Sequence, residues 1–325
     1  MTSPALYDEI RDAVGRLFDA YAQDPLGDFG FADLLASEDP VERNAVFAVA
    51  EAQGRAGAGT DVVSRIALAG VALPEAADLG LGLASRPGQT PTLAALLGSA
   101  HEAGVVVLAE NGSVVKLSRQ EVTEIVSSLD PAYLTVFSFE PGLGRDLDLP
   151  HPQDVTSRAR LACAAEILGA CEAMVSEAVA YANSRRQFGA PLASFQAVAH
   201  SLAWAATEVH QLRALLRVCL AGDGVRAPDH TLAAATKSMA GSVSRRVSQA
   251  TLQVTGGMGF TWEYSHNARH RRVLALDAVA GSGDALNLEL GHRLRTGDGL
   301  RIQDLAAISL PVLAAGGQGS GERAS

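Results

Sequence analysis

The sequence has little with which to staple, chelate or anchor itself. Its three cysteines, Cys163, Cys171 and Cys219, are odd in number and show no CxxC spacing. This excludes a disulfide or zinc framework and predicts reduced thiols, small core residues of a cytoplasmic protein. No apolar run approaches the ~20 residues of a membrane span. The opening MTSPALYDEIRDAVGRLF carries charges throughout and no small-residue cleavage signal, so neither a signal peptide nor an anchor is expected. Positive charge is scarce as well. A formal charge of −10 repels nucleic acid, and the basic pairs are too scattered to track a phosphate backbone. Any anionic ligand must be held locally, by a few placed cations. A GxSxG elbow and an HExxH helix are also missing.

What is present is a chain of 325 residues, 48% apolar, enough for a substantial core divided into two or three domains. Residues 4–21 predict a helix, with Leu6, Ile10, Val14, Leu17 and Phe18 on one face and Ser3-Pro4 at its start. VERNAVFAVAEAQGRAGAG continues the helical character to a Gly-rich stop, and TDVVSRIALAG adds another helix. Residues 71–150 change texture. AGVVVLAENGSVVKL sets two β-branched runs around Asn111-Gly112, a pair suited to a tight hairpin, and AYLTVFSFE is a further strand. A small antiparallel β domain is expected there.

Beyond LDLPHPQD the chain reads as almost wholly helical. Asp154 or Thr156 is the expected cap of a helix to Ser184, with Leu161, Leu168, Cys171 and Val175 along one stripe. Residues 194–221, 229–254 and 284–294 supply further helices of an antiparallel bundle. The expected fold is mainly α with a small β domain: helices over 1–70, β structure over 71–150, a bundle over 151–311 and a disordered tail over 312–325.

Two loops carry candidate chemistry. In YANSRRQFGAPLASFQ, Arg185 and Arg186 precede a Phe188-Gly189 break. A guanidinium there suits phosphate or carboxylate, or simply offsets the negative pole of a solvated helix end. In QVTGGMGFTWE the paired glycines admit close backbone approach to a ligand, or end a helix in the ordinary way.

Together with AAATKSMAGSVSRRVSQATLQVTGGMGFTWEYSHNARHRR, the first loop resembles the C-terminal helical domain of the acyl-CoA dehydrogenases. The resemblance covers residues 155–294 well and the earlier residues faintly. It implies an acyl-CoA dehydrogenase-like fold of N-terminal helices, reduced β domain and C-terminal bundle, with FAD bound across a subunit interface. By position, Arg185 would meet the FAD diphosphate, Gln196 would contact the same cofactor and Phe188 would pack against it. Gln253 with the backbone of Gly256 and Gly257 would cradle the adenosine end. Arg186 has no such role and is expected to be solvated.

The same resemblance exposes a gap. Dehydrogenating an acyl thioester requires a carboxylate base, yet the family's two positions for it fall on Ala280 and Ala159. The β region also lacks the family's run that lines the isoalloxazine. Glu263 and Asp277 remain as weak candidates, while Asp284 is expected to cap the last helix. His266 and His270 have the spacing of a metal pair without a third ligand and are expected at the surface. Glu166 sits in an apolar helix and is expected, if buried, to make an interhelix hydrogen bond.

The resemblance thus implies a shortened subunit of an FAD-dependent acyl-CoA dehydrogenase in an α2β2 heterotetramer. It would supply cofactor-interface residues to a partner that retains the base, and the steroid-type bacterial enzymes suggest a steroid-derived CoA ester. Two alternatives stay open: a self-sufficient homo-oligomer using a displaced acid, and a non-catalytic scaffold that has lost FAD.

Overall fold

A computed structural model describes residues 4–20, 25–71, 80–84, 92–97, 104–108, 114–127, 130, 133–140, 142–262 and 264–297. Six helices come first: α1 (Pro4–Asp19), α2 (Pro25–Phe29), α3 (Phe31–Ala36), α4 (Pro40–Asn44), α5 (Val46–Ala56) and α6 (Val62–Ala67). Asp39 caps α4, accepting from the Val41 N–H at 2.8 Å, and Gly57 ends α5 in the left-handed region at φ 72°. Ser3 and Tyr21, expected at the ends of α1, lie outside the described residues.

Seven strands follow: β1 (Gly80–Ala84), β2 (Thr92–Leu97), β3 (Val105–Leu108), β4 (Val114–Leu117), β5 (Thr123–Ser127), β6 (Leu134–Phe139) and β7 (Arg145–Asp146). They form one sheet ordered β5-β6-β2-β1-β3-β4-β7. Leu108 stands opposite Val114 in the β3–β4 pair, as a hairpin requires; Asn111-Gly112 itself lies outside the described residues. The sheet is not purely antiparallel as expected, because β1 pairs parallel with β3. The cause is topological: β2 already occupies one edge of β1, so the returning chain takes the other edge and runs in the same direction.

The remaining helices are α7 (Pro152–Ser184), α8 (Gln196–Cys219), α9 (His230–Thr255), α10 (Ser265–Ala278) and α11 (Gly283–Thr296). A two-strand ribbon, β8 (Arg186–Gln187) with β9 (Ala190–Pro191), joins α7 to α8. Two expected caps are corrected. α7 begins at Pro152, ahead of Asp154 and Thr156, because proline at the first helical position needs no N–H partner. α11 is capped by Ser282, whose hydroxyl accepts from the Ala285 N–H at 3.3 Å, and Asp284 falls inside the first turn. α10, which the sequence did not mark as an element, is a full helix.

α7 is about 50 Å long and forms the axis of the molecule. Every residue from Leu161 to Cys171 is buried, so the helix is enclosed on all sides rather than along one stripe. Small residues make this possible. A Cβ on Gly169 would lie 1.9 Å from the Glu51 carbonyl oxygen, and one on Gly54 the same distance from that of Glu166. α5 and α7 therefore cross backbone against backbone. The three cysteines are buried and unbridged, as expected, and burial pushes the Cys163 thiol up to about 12. One apolar core runs from α1 through α5 and α6 into α7–α10, and also takes in Val106 and Tyr133 of the β region.

Candidate functional site

The α7–α8 connection is a closed turn. The Arg185 N–H donates to the Tyr181 carbonyl at 2.8 Å, and the Leu192 N–H returns to the Arg185 carbonyl at 2.9 Å. Between them Phe188 (φ 53°) and Gly189 (φ 81°) form the two-residue hairpin, which needs positive φ at both positions. Glycine adopts this freely; phenylalanine does so at a cost of about 1 kcal/mol. Yet Phe188 is 91% exposed, held only edge-to-face on Phe195 at 6.1 Å. Arg186 is solvated and bonds the Gly189 carbonyl at 3.1 Å. The exposed Arg185 guanidinium makes no hydrogen bond or ion pair among the described residues. Gln196, also exposed, opens α8.

At the end of α9 the chain breaks at Gly256, whose φ 62° and ψ −144° only glycine tolerates well. A cleft of about 470 Å³ opens there, with Arg245, Gln253, Gly256, Gly257, Phe260 and His270 among its walls. A Cβ built on either glycine meets nothing within 4 Å, so the chain's own packing does not require their bareness. This corner and the α7–α8 turn are neighbours. Val254, Leu192 and Ala193 pack on one small cluster of Ala178, Ala182 and Leu202. The six cofactor-binding candidates therefore lie at one end of the bundle: Gln253, Gly256 and Gly257 in the cleft, and Arg185, Phe188 and Gln196 at the adjoining turn. Sequence reasoning gave Arg245 and Phe260 no role and expected His270 at the surface; only the fold brings the three to the cleft.

The acids are otherwise engaged. Asp277 accepts from Arg245 Nη1 at 3.0 Å and the Gly283 N–H at 2.9 Å, and faces Lys237 Nζ at 3.7 Å. Asp284 accepts from Arg245 Nη2 at 2.7 Å. Glu263 lies outside the described residues. Ala159 is fully buried, and Arg160, the residue after it, donates to the carbonyl of Ala280 at 3.0 Å.

Glu166 is buried, as expected, and bonded across elements. It accepts from Tyr133 Oη at 2.7 Å and Arg272 Nη1 at 2.9 Å. The Arg272 guanidinium also lies 3.6 Å over the Tyr133 ring and pairs with Asp130. Burial raises the Glu166 carboxyl against the pull of Arg272.

His266 corrects a second expectation: it is fully buried, not at the surface, because α10 turns that side toward α9. Thr251 donates its hydroxyl to the Val247 carbonyl at 2.7 Å, so it accepts from His266 Nε2 at 2.6 Å, leaving Nδ1 without a partner among the described residues. Burial lowers the ring to about 4. Among the described residues no group of three or more potential ligands could hold a metal, and no helix is long and apolar enough to cross a membrane.

Residues 152–294 match the acyl-CoA dehydrogenase C-terminal domain. The acyl-CoA dehydrogenase IpdE2 of Mycolicibacterium smegmatis is 32% identical over 130 residues, 40% of this chain and 40% of that protein. The short-chain specific enzyme of Megasphaera elsdenii is 35% identical over 113 residues, 35% of this chain and 29% of that protein. The chain thus aligns with about half or less of the length of these curated relatives. Among solved structures, the ChsE4-ChsE5 complex from Mycobacterium tuberculosis aligns at TM-score 0.71 and 18% identity, covering 91% of this chain and 98% of that chain. A glutaryl-coenzyme A dehydrogenase in complex with glutaryl-CoA aligns at TM-score 0.75 and 16% identity, covering 91% and 96%. Residues 152–294 thus match the C-terminal domain of the acyl-CoA dehydrogenases, and the fold of the chain is similar to that of solved acyl-CoA dehydrogenases.

Proposed function

We propose that this chain is a subunit of an FAD-dependent acyl-CoA dehydrogenase and lends its Arg185 and Gly256 corners to a flavin whose catalytic surroundings belong to a second, related subunit. The observation that carries the reading is the Arg185 guanidinium, which has no hydrogen-bond or ion-pair partner among the described residues. Its turn adjoins the end of α9 where Gly256 and Gly257 wall the cleft, while alanine occupies both expected base positions.

The residues present fit a dinucleotide. An unpaired guanidinium suits a diphosphate, and Gly256 and Gly257 leave room that no side chain of the described protein takes up. Arg185 would hold the diphosphate with Gln196 beside it. Gln253 and the backbone N–H groups at 256–257 would hold the adenosine end, and Phe188 would cover the cofactor from the turn. When bound, FAD supplies the acceptor for the hydride leaving the acyl β carbon. The α proton would go to a carboxylate of the partner, since alanine stands at both expected base positions and Asp277 is bonded to Arg245 and the Gly283 N–H.

The partner reading draws on two solved structures of similar fold, the ChsE4-ChsE5 complex and the steroid dehydrogenase Tcur3481-Tcur3483. On it we base an α2β2 assembly, a steroid-derived CoA ester as substrate and a cytoplasmic location. Co-expression with neighbouring dehydrogenase-like genes, followed by flavin quantitation and subunit stoichiometry, tests it. Arg185→Ala should lower the flavin retained by the purified complex at least tenfold with stoichiometry unchanged. Undiminished flavin in that variant would remove the reading.

A further inference from the structure

We infer that the cleft between α9 and α10 is a site for a free nucleoside diphosphate, its phosphates held by Arg245 and its base set against Phe260 at the Gly256 turn. Arg245 and Gly256 both line the cleft and stand eleven residues apart along α9 and its cap, about 16 Å. That is the reach of an extended nucleotide, and the two ends differ in chemistry as a nucleotide's do. At the turn, bare glycine backbone and the 63% exposed ring of Phe260 give a flat heterocycle an apolar face to stack on. Gln249 and Gln253, one turn apart on α9, set amide donors and acceptors between the ends. At the far end stands a guanidinium, whose planar donors match a phosphate. It is the one formal charge among the described lining residues, because burial lowers His270 and keeps its ring neutral. The cleft volume of about 470 Å³ is that of a small-molecule site.

Arg245 is also releasable. Its side chain is 39% exposed and forks between Asp277 at 3.0 Å and Asp284 at 2.7 Å. Neither acid depends on it. Asp277 keeps the Gly283 N–H at 2.9 Å and Lys237 Nζ at 3.7 Å, and Asp284 is 76% exposed to water. Withdrawing the arginine therefore strands no buried charge, and a diphosphate, with more charge than either acid, draws it into the cleft. Binding then unties the start of α11 from α9. The inference stands apart from the flavin reading, since it rests on Arg245 and not on Arg185; the two ligands compete at the Gly256 turn.

The test is calorimetric titration of the purified full chain with ADP and with adenosine. ADP should bind at least tenfold more tightly, and Arg245→Gln, with an unchanged circular dichroism spectrum, should abolish that difference. Asp284→Asn, at an exposed position, should tighten ADP several-fold by removing a competing carboxylate. Hydrogen exchange over residues 283–288 should rise when ADP binds, and unchanged exchange would overturn the release of Arg245 from Asp284. Arg185→Ala should leave ADP binding as it was; a loss there puts the phosphates at the flavin corner and overturns the inference. So does equal affinity for ADP and adenosine, an Arg245→Gln chain that still prefers ADP, or an Asp284→Asn chain that binds ADP no more tightly.

Discussion

Arg160 donates its Nε–H to the carbonyl of Ala280 at 3.0 Å, tying the start of α7 to the turn after α10. Lys237 grips the same turn through the carbonyls of Asp277 and Gly281. Two cations therefore hold a turn in which Ala280 sits at φ 59°, a conformation that glycine adopts without strain. Ala280→Gly should stabilise the protein by about 0.5–1 kcal/mol, read as a raised urea midpoint. Arg160→Met should destabilise it by about 1–2 kcal/mol through loss of a charged hydrogen bond.

Phe188 presents the opposite balance of strain and use. Phe188→Gly relieves positive φ at an exposed position and should raise or leave unchanged the thermal midpoint of the isolated chain. If the aromatic ring serves the cofactor, the same change should lower flavin retained by the complex several-fold. A variant that gains stability and keeps its flavin would leave the exposed ring without that role.

The Glu166–Arg272–Tyr133 node joins α7, α10 and the β region in one buried knot. Glu166→Ala strands the Arg272 guanidinium with Asp130 as its remaining carboxylate and should cost about 3–5 kcal/mol. Tyr133→Phe removes one hydrogen bond and should cost about 1–2 kcal/mol. Chemical denaturation of both variants distinguishes these magnitudes.

His266 makes stability depend on pH. Its folded value of about 4 lies below the ordinary 6.5, so between the two the unfolded chain binds the extra proton. The contribution is fully present above pH 6.5 and is lost as pH falls toward 4, by at most about 3 kcal/mol. Glu51 and Glu166, whose carboxyls burial raises, act in the opposite sense. The informative measurement is therefore the difference between the wild-type and His266→Gln urea midpoints, which should shrink as the solution is acidified from 6.5.

The crossing of α5 and α7 should tolerate no added atom. Gly169→Ala places a methyl 1.9 Å from a backbone oxygen that cannot turn away. A loss of about 2–3 kcal/mol or more is expected, against a near-neutral effect at the open Gly291.

Much was legible before the fold was known, and for local reasons. The helices of the bundle, the β3–β4 hairpin and the Phe188-Gly189 break are written in periodicity and turn chemistry, which act between near neighbours in the chain. Loop composition alone marked the arginines at 185–186 and the paired glycines at 256–257; the candidates Arg185, Phe188, Gln196, Gln253, Gly256 and Gly257 were named together from the resemblance of those segments to the acyl-CoA dehydrogenases. The misreadings have one cause. His266 was expected at the surface, Asp284 at a cap and α7 along a single stripe, and each depends on what an element packs against.

The sequence by itself determined the succession of N-terminal helices, β region and helical bundle, the unbridged cysteines, and the alanines at 159 and 280, since those are matters of residue identity and local backbone preference. Only the tertiary structure decided that the two loops share one end of the bundle and that Asp277 is surrounded by donors. It likewise decided that the Arg185 guanidinium has no partner among the described residues and that His266 is buried against α9. Those are relations between side chains far apart along the chain, fixed by close packing around α7, and no local pattern encodes them.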